Sequence, residues 1–265
     1  MTKDKIQFFV NTVLILAYRD FRKFIRNKFR ILSSLLFPLV FIGVFGNGVN
    51  SNLGERLNID FLSFTFLGVI AQTLFQSTAL GILYLAQDRE SDFAQEIFVS
   101  PASRYGIIFG KLLGETSISI VQSLGIFLIG ILMQVNLDWT RIILMLPLLP
   151  LICFFGASFG LIILSLIPDY RSVNQLFPIL IFPQFFLSGV FFPITNQPFI
   201  LNILSHIAPL TYAVDLLRSF YYANDNLNSI LVLNNFYINL IVILVAFLVM
   251  FVVGTRIFVR NEKNK

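Results

Sequence analysis

Long apolar runs with almost no Asp, Glu, Lys or Arg inside them decide what this chain becomes. Six segments, residues 31–49, 61–86, 107–134, 142–167, 174–194 and 236–258, match the ~20 residues that one helical crossing of a bilayer needs. They lack the period-2 alternation of barrel strands, and lipid-exposed backbone must satisfy its own hydrogen bonds, so they read as helices. With 57% hydrophobic and 12% charged residues over 265 positions, lipid is the main solvent. The expected fold is an all-α membrane protein, residues 1–265 forming one domain without internal repeats.

The basic residues fix an orientation. If the N-terminus is cytoplasmic and the spans alternate, only Arg56, Arg141 and Arg218 of the 19 Lys and Arg fall on the far side. This bias predicts a multi-pass protein with both termini in the cytoplasm. The formal charge of +5 therefore reflects membrane topology, and nucleic acid is not an expected partner. Before the first span, Phe21, Phe24, Ile25 and Phe29 share one helical face and Arg19, Arg22, Lys23, Arg26 and Arg30 another, which predicts an amphipathic interfacial helix within 1–30. A signal peptide centred on Ile6 to Ala17 does not fit, because no small-residue cleavage site follows and the basic cluster lies on the wrong side.

What the spans lack narrows the function. Spans one, two, four and five hold no charged residue, the sixth has only Arg256 near its end, and the third carries Lys111 and Glu115 within its first turns. Those two are four apart, so they share a face and can pair. Ion-coupled carriers place ionisable groups near the midplane, and that is not seen here. A single histidine, His206, and a single cysteine, Cys153, at different depths offer neither a catalytic dyad nor a metal site. Gly106-Ile-Ile-Phe-Gly110-Lys111 mimics a phosphate loop but has one residue too few between the glycines and Leu112 after the lysine. Gly106, Gly110 and Gly114 instead form a small-residue stripe against which another helix can pack closely. No cofactor is expected on this chain, so any uphill transport draws its energy from a partner.

Three segments carry positive signals. Between spans two and three, residues 87–105 include Asp88, Arg89, Glu90, Phe93, Glu96, Val99, Pro101 and Arg104, with a short amphipathic helix stopped before Pro101. Such an element, held between two spans, suits docking of a partner; a merely solvated loop is the competing reading. After span five comes Leu187-Ser188-Gly189-Val190-Phe191-Phe192-Pro193, where Gly189 permits close backbone approach and Pro193 ends the span. Residues 195–235 are too polar for an ordinary span, and their helical periodicity up to about residue 222 fits a re-entrant helical hairpin. Within it, Asp215 and Arg218 are three apart and able to pair. Gln72, Gln76, Ser77, Asn174, Gln175, Gln184 and Ser188 stand out among the polar residues inside spans, and Phe182, Phe185, Phe186 and Phe191 offer an apolar lining; Gln72, Gln76, Phe182, Phe185, Phe186 and Ser188 are the candidates for a substrate path.

The loop at 87–105 resembles the coupling segment of ABC-2 type exporter permeases. Asp88, Arg89, Glu90, Glu96, Val99, Pro101, Ser103 and Arg104 match its pattern, and Asp92 stands where glycine is usual. Ser188 to Pro193 and the run Pro209-Leu210-Thr211-Tyr212-Ala213-Val214-Asp215-Leu216-Leu217-Arg218 are similar to a second pair of motifs of that family, closest to its daunorubicin-resistance and nodulation-export branch. This resemblance marks Gly189, Pro193, Pro209, Tyr212, Asp215 and Arg218 as structural motif residues. It implies a permease in the cell membrane, paired with a second permease copy as a homodimer or related heterodimer and driven by a separate ABC ATPase subunit that binds ATP and Mg. The implied cargo is a drug, lipid or glycan. An ion-coupled carrier and a nucleotide-independent membrane enzyme or assembly factor are the alternatives.

Overall fold

The computed structural model describes residues 3–54, 59–90, 103–167, 169–195, 197–223, 225 and 227–263. Its principal helices are α1 (Lys3–Arg26), α2 (Lys28–Phe41), α3 (Phe61–Glu90), α4 (Arg104–Leu132), α5 (Trp139–Met145), α6 (Leu149–Leu166), α7 (Tyr170–Leu187), α8 (Phe199–Ile207), α9 (Pro209–Tyr221) and α10 (Phe236–Lys263). Five stretches are long and apolar enough to cross a bilayer: Lys28–Gly46, Phe61–Gln87, Arg104–Leu132, Trp139–Leu166 and Asn228–Asn261. These cover five of the six expected spans. The remaining one, α7, is an 18-residue helix interrupted by Pro178 and Pro183 and diluted by Arg171, Asn174, Gln175 and Gln184.

Burial follows the pattern of each span. The apolar residues of α3 favour no one face, which is how a helix reads when neighbours surround it; 83% of its spanning window is buried, and α2, α4, α6, α7 and α9 all contact it. By contrast α10 is apolar but only 11% buried, leaving Ile241, Val245, Leu248 and Val249 on an outer surface suited to lipid. In α2, Pro38 withdraws a backbone donor, and beyond Phe41 the helix loosens into π turns over Ile42–Gly46.

The glycine stripe has an occupant. Gly106, Gly110 and Gly114 face Phe9, Val13, Leu16, Ala17 and Asp20, so α1 lies along the first turns of α4 with its backbone close by. A Cβ at Gly110 would stand 3.0 Å from the Val13 carbonyl oxygen. We expect Gly110→Leu to push α1 off α4 and, by loosening the helix that α4 holds, to speed tryptic cleavage at Arg19, Arg22 and Lys23, while Gly48→Ala, which meets nothing within 4 Å, leaves digestion unchanged. Limited proteolysis of the solubilised protein checks this. The expected amphipathic face is only partly used: Phe24 is buried, whereas Ile25 and Phe29 remain exposed.

The segment before the last span is a pair of helices, α8 and α9, bent by 87°. Pro209 causes the break, because a residue before proline avoids the helical region and Ala208 is extended at φ −70, ψ 116. Upstream, Gly189 adopts φ +70, a conformation that glycine reaches without cost. The turn it makes brings the chain back beneath α9.

Asp215 and Arg218, expected to pair, do not. The Asp215 carboxylate accepts the backbone N–H of Leu233 (2.8 Å) and Asn234 (2.7 Å) and the Asn239 amide (2.8 Å), fixing the entry to α10. Arg218 donates from Nη1 to Gly189 O (2.6 Å) and from Nη2 to Val190 O (2.9 Å) and Phe64 O (3.0 Å), with its guanidinium 3.4 Å from the Phe64 ring centre. Asp215 serves the N–H groups of Leu233 and Asn234 and Arg218 the carbonyls of Gly189 and Val190, backbone groups outside any helix, and that demand outweighs the pairing that their spacing allows.

Candidate functional site: a polar cleft

A cleft of about 290 Å³ opens between α2, α3 and α4. One wall is polar, with Ser33 and Ser34 from α2, Gln72, Thr73, Gln76 and Ser77 from α3, and Gln122 from α4. Phe37 and Pro38 from α2 and Leu80 from α3 add an apolar part to the same lining. Arg30 and Tyr84 close one end, the guanidinium lying 5.3 Å from the Tyr84 ring centre. Gln72 donates to the Gln76 side-chain carbonyl at 2.6 Å across one helical turn, so their amides act as a unit.

The amide oxygens of Gln72 and Gln122 are buried and have no hydrogen-bond partner among the described residues. Buried polar atoms are seldom left so, because an unmade bond costs about 1–3 kcal/mol. Ser33 and Ser34 spend their hydroxyl protons on Arg30 O and Ile31 O, which leaves oxygen lone pairs for another partner. Among the described residues, no acidic side chain lines this cleft.

A second, smaller cavity adjoins it through Arg30 and Tyr84, and Asp20, Lys23, Gln87, Lys111 and Glu115 complete its lining. The expected Lys111–Glu115 pair is present at 3.3 Å, and Asp20 from α1 extends it, its carboxylate 3.0 Å from Lys111 Nζ. Arg19 pairs with Asp20 at 2.7 Å, and Arg30 stands 3.9 Å from Glu115. Burial alone would push the Asp20 carboxyl up, but the Lys111 and Arg19 charges beside it outweigh burial and hold it below the ordinary carboxylate range. The cluster joins α1 and α4 and stands at the end of the cleft that Arg30 and Tyr84 close.

The structure brings some sequence candidates together and separates others. Gln72 and Gln76 share the cleft, and Phe185 reaches its rim by packing on Phe37 at 5.6 Å between ring centres. Phe182 and Phe186 lie on the exposed face of α7, 60% and 51% accessible, and Ser188 is buried in the turn that follows. Span five therefore borders the cleft, while spans one, two and three wall it. Asp88, Arg89 and Glu90 form the end of α3, and Arg104 opens α4, which Ser103 caps by accepting Gly106 N–H. Phe93, Glu96, Val99 and Pro101 lie outside the described residues. Among the motif residues, Pro209 starts α9 and the Tyr212 hydroxyl donates to His206 O at 2.9 Å.

Sequence reasoning passed over Arg30, Ser33, Ser34, Thr73, Tyr84 and Gln122. Gln122 was findable, since it is a lone amide in the middle of an apolar span. Ser33 and Ser34 offered less, because serines near a span end commonly satisfy themselves on their own helix.

Comparison with known proteins agrees with the architecture. The sequence profile described as ABC-2 type transporter matches residues 11–222. The chain is 26% identical over 263 residues to a protein named transport permease ycf38 from Cyanophora paradoxa, covering 97% of this chain and 91% of that one. It is 23% identical over 190 residues to Nodulation protein J of Rhizobium meliloti (strain 1021), covering 71% and 72%. A ycf38 permease of Porphyra purpurea is 25% identical over 221 residues, covering 82% and 76%.

Proposed function

Because the chain belongs to the ABC-2 type transporter family, we propose that it is the membrane permease of an exporter in the cell membrane, driven by a separate ABC ATPase that binds ATP and Mg. Family membership makes it a transport permease and implies the ATPase. The finer reading adds a second permease copy, identical or related, and an amphiphilic or hydrophobic cargo.

One observation carries this reading. Helices α3 and α4, which wall the polar cleft, are the two helices that the 87–105 segment joins. A partner pushing on that segment shifts the end of α3 against the start of α4, and Tyr84 on α3 with Lys111 and Glu115 on α4 carry that shift to the cavity that adjoins the cleft through Arg30 and Tyr84. Opening and closing of the cleft then follows from movement of its walls, with no titrating group required in the spans. Gln72, Gln76 and Phe185 serve the substrate path, and Asp88, Arg89, Glu90, Phe93, Glu96, Val99, Pro101 and Arg104 serve the ATPase contact. An ion-coupled carrier is less well supported, since Lys111 and Glu115 already pair with each other at one end of their span.

Co-expression with a candidate ABC ATPase subunit from the same genome tests the reading. The two proteins are expected to co-purify, and Glu96→Ala with Pro101→Ala to lower ATP-dependent export at least tenfold while the permease stays folded. No association, together with undiminished export by the double variant, overturns it.

A further inference from the structure

We propose that the outer face of α1 and the start of α2 form a binding surface for anionic phospholipid, with phosphates seated on Arg22, Arg26 and Lys28 and acyl chains on the apolar residues to either side. Such a lipid is a resident of the surrounding bilayer, held outside the cleft and distinct from any cargo. Its binding requires neither transport nor an ATPase.

The two sides of α1 differ. Its inner face packs Phe9, Val13, Leu16, Ala17 and Asp20 on the glycines of α4. On the opposite side Phe8, Asn11, Ile15, Tyr18, Arg22 and Ile25 recur at intervals of three and four, so they form one helical stripe, and all six are exposed. Ile15 is 66% and Tyr18 62% accessible, which makes this stripe an apolar surface that calls for a cover. It turns basic at Arg22 and Arg26; Asn27 then caps α2, which Lys28 opens. Beyond Lys28, the exposed Phe29, Leu32 and Leu36 again share a face. A short band of positive charge thus lies between two apolar surfaces, the arrangement of a chain that meets the membrane at head-group level.

Charge selects the lipid. Residues 19–30 hold six Lys and Arg against one acid, Asp20. Arg19 and Lys111 occupy Asp20, Arg30 faces Glu115, and Lys23 borders the second cavity. Among the described residues no carboxylate pairs with Arg22, Arg26 or Lys28. A zwitterionic head brings its own cation and leaves these three uncompensated, whereas an anionic head supplies the net negative charge that attracts each Lys and Arg near the surface. The apolar flanks decide for lipid over an acidic protein surface, because they continue into the outer face of α2, whose spanning window is only 17% buried. Lipid outside and the Asp20–Lys111 pair inside then hold α1 from both sides.

The test uses the full-length permease with Tyr18→Cys carrying a bimane dye, reconstituted in phosphatidylcholine vesicles; Cys153 is buried and stays unlabelled. Two quencher lipids share one nitroxide-labelled chain and differ only in head, phosphatidylglycerol or phosphatidylcholine. We expect phosphatidylglycerol to associate at Tyr18 about fivefold more strongly, with the preference shrinking as salt rises. At Leu248→Cys, on the exposed side of α10, the two lipids should quench alike. Arg22→Gln, Arg26→Gln and Lys28→Gln together are expected to remove the preference at Tyr18 while quenching by phosphatidylcholine persists. Equal quenching by both lipids at Tyr18, the same preference at Leu248, or a preference that survives the triple variant each overturn the proposal. So does an absence of quenching by either lipid, which would mean that protein covers this face. If the triple variant misfolds, the contrast between Tyr18 and Leu248 in the otherwise unaltered chain still decides it.

Discussion

Replacing Arg218 with alanine is expected to destabilise the permease more than any other single change in its motif residues. The side chain is 3% exposed and donates to the carbonyls of Gly189, Val190 and Phe64. Removing it strands the Gly189 and Val190 carbonyls at about 1–3 kcal/mol each and takes a second donor from the Phe64 carbonyl, which its own helix already satisfies, a loss on the order of 2–5 kcal/mol. It also frees the Gly189 turn from α3. Lysine should recover little, because a single ammonium lacks the planar fork that reaches several carbonyls at once. The protein carries its own reporter: Cys153 is its sole cysteine and is fully buried, so a thiol-reactive fluorophore reads unfolding directly. A fall in the labelling midpoint of roughly 10 °C is expected for Arg218→Ala. A fall within 2 °C would mean that the turn is held by other contacts.

The second large effect is expected at Lys111. Its ammonium stands between Asp20 and Glu115, which are 4% and 1% exposed, and bridges α1 to α4. Lys111→Met leaves both carboxylates buried without their shared ammonium, and breaking a buried pair in this way costs about 3–5 kcal/mol. Arginine at this position should retain most of the stability, since it keeps the charge. Adding Glu115→Gln to Lys111→Met should restore part of the loss, because the two residues share one network and their effects do not add. The cysteine-labelling midpoint measures the series. Additive effects in the double variant would show that the two side chains are not coupled.

The sequence already displayed the elements, but not which of them touch. Gly106, Gly110 and Gly114 announced a close helix contact, yet a stripe of small residues describes one surface only, and nothing in its spacing names α1 as the occupant. Lys111 and Glu115 were visibly paired by their four-residue interval; Asp20 joined them from far away in the chain, where no local rule reaches. Asp215 and Arg218 show the opposite case. Their interval suggested an ion pair, but the tight turn at Gly189 and the entry to α10 each carry buried backbone groups that took the two side chains separately. The break at Pro209 was legible because proline acts locally.

The candidate site was legible in part for a related reason. Gln72 and Gln76 stood out as amides in an apolar span, and they meet in the cleft. Gln122 carries the same signal, but a search for charged groups passes over it. The roles of Ser33, Ser34 and Arg30 depend on how α2 leans on α3, and Pro38 and the π turns that follow it shape α2. Phe182 and Phe186 stand on the exposed face of α7, while the face that carries Phe185 turns toward the rim, a placement that their spacing alone does not give.

The central claim, that this permease is driven by a separate ATPase through the segment between α3 and α4, is tested most directly by reconstituting both proteins in sealed vesicles and following export of the cargo. Transport that requires ATP, persists when proton and sodium gradients are collapsed, and falls at least tenfold with Glu96→Ala and Pro101→Ala is the expected result. Transport by the permease alone that follows an ion gradient and ignores ATP would contradict it.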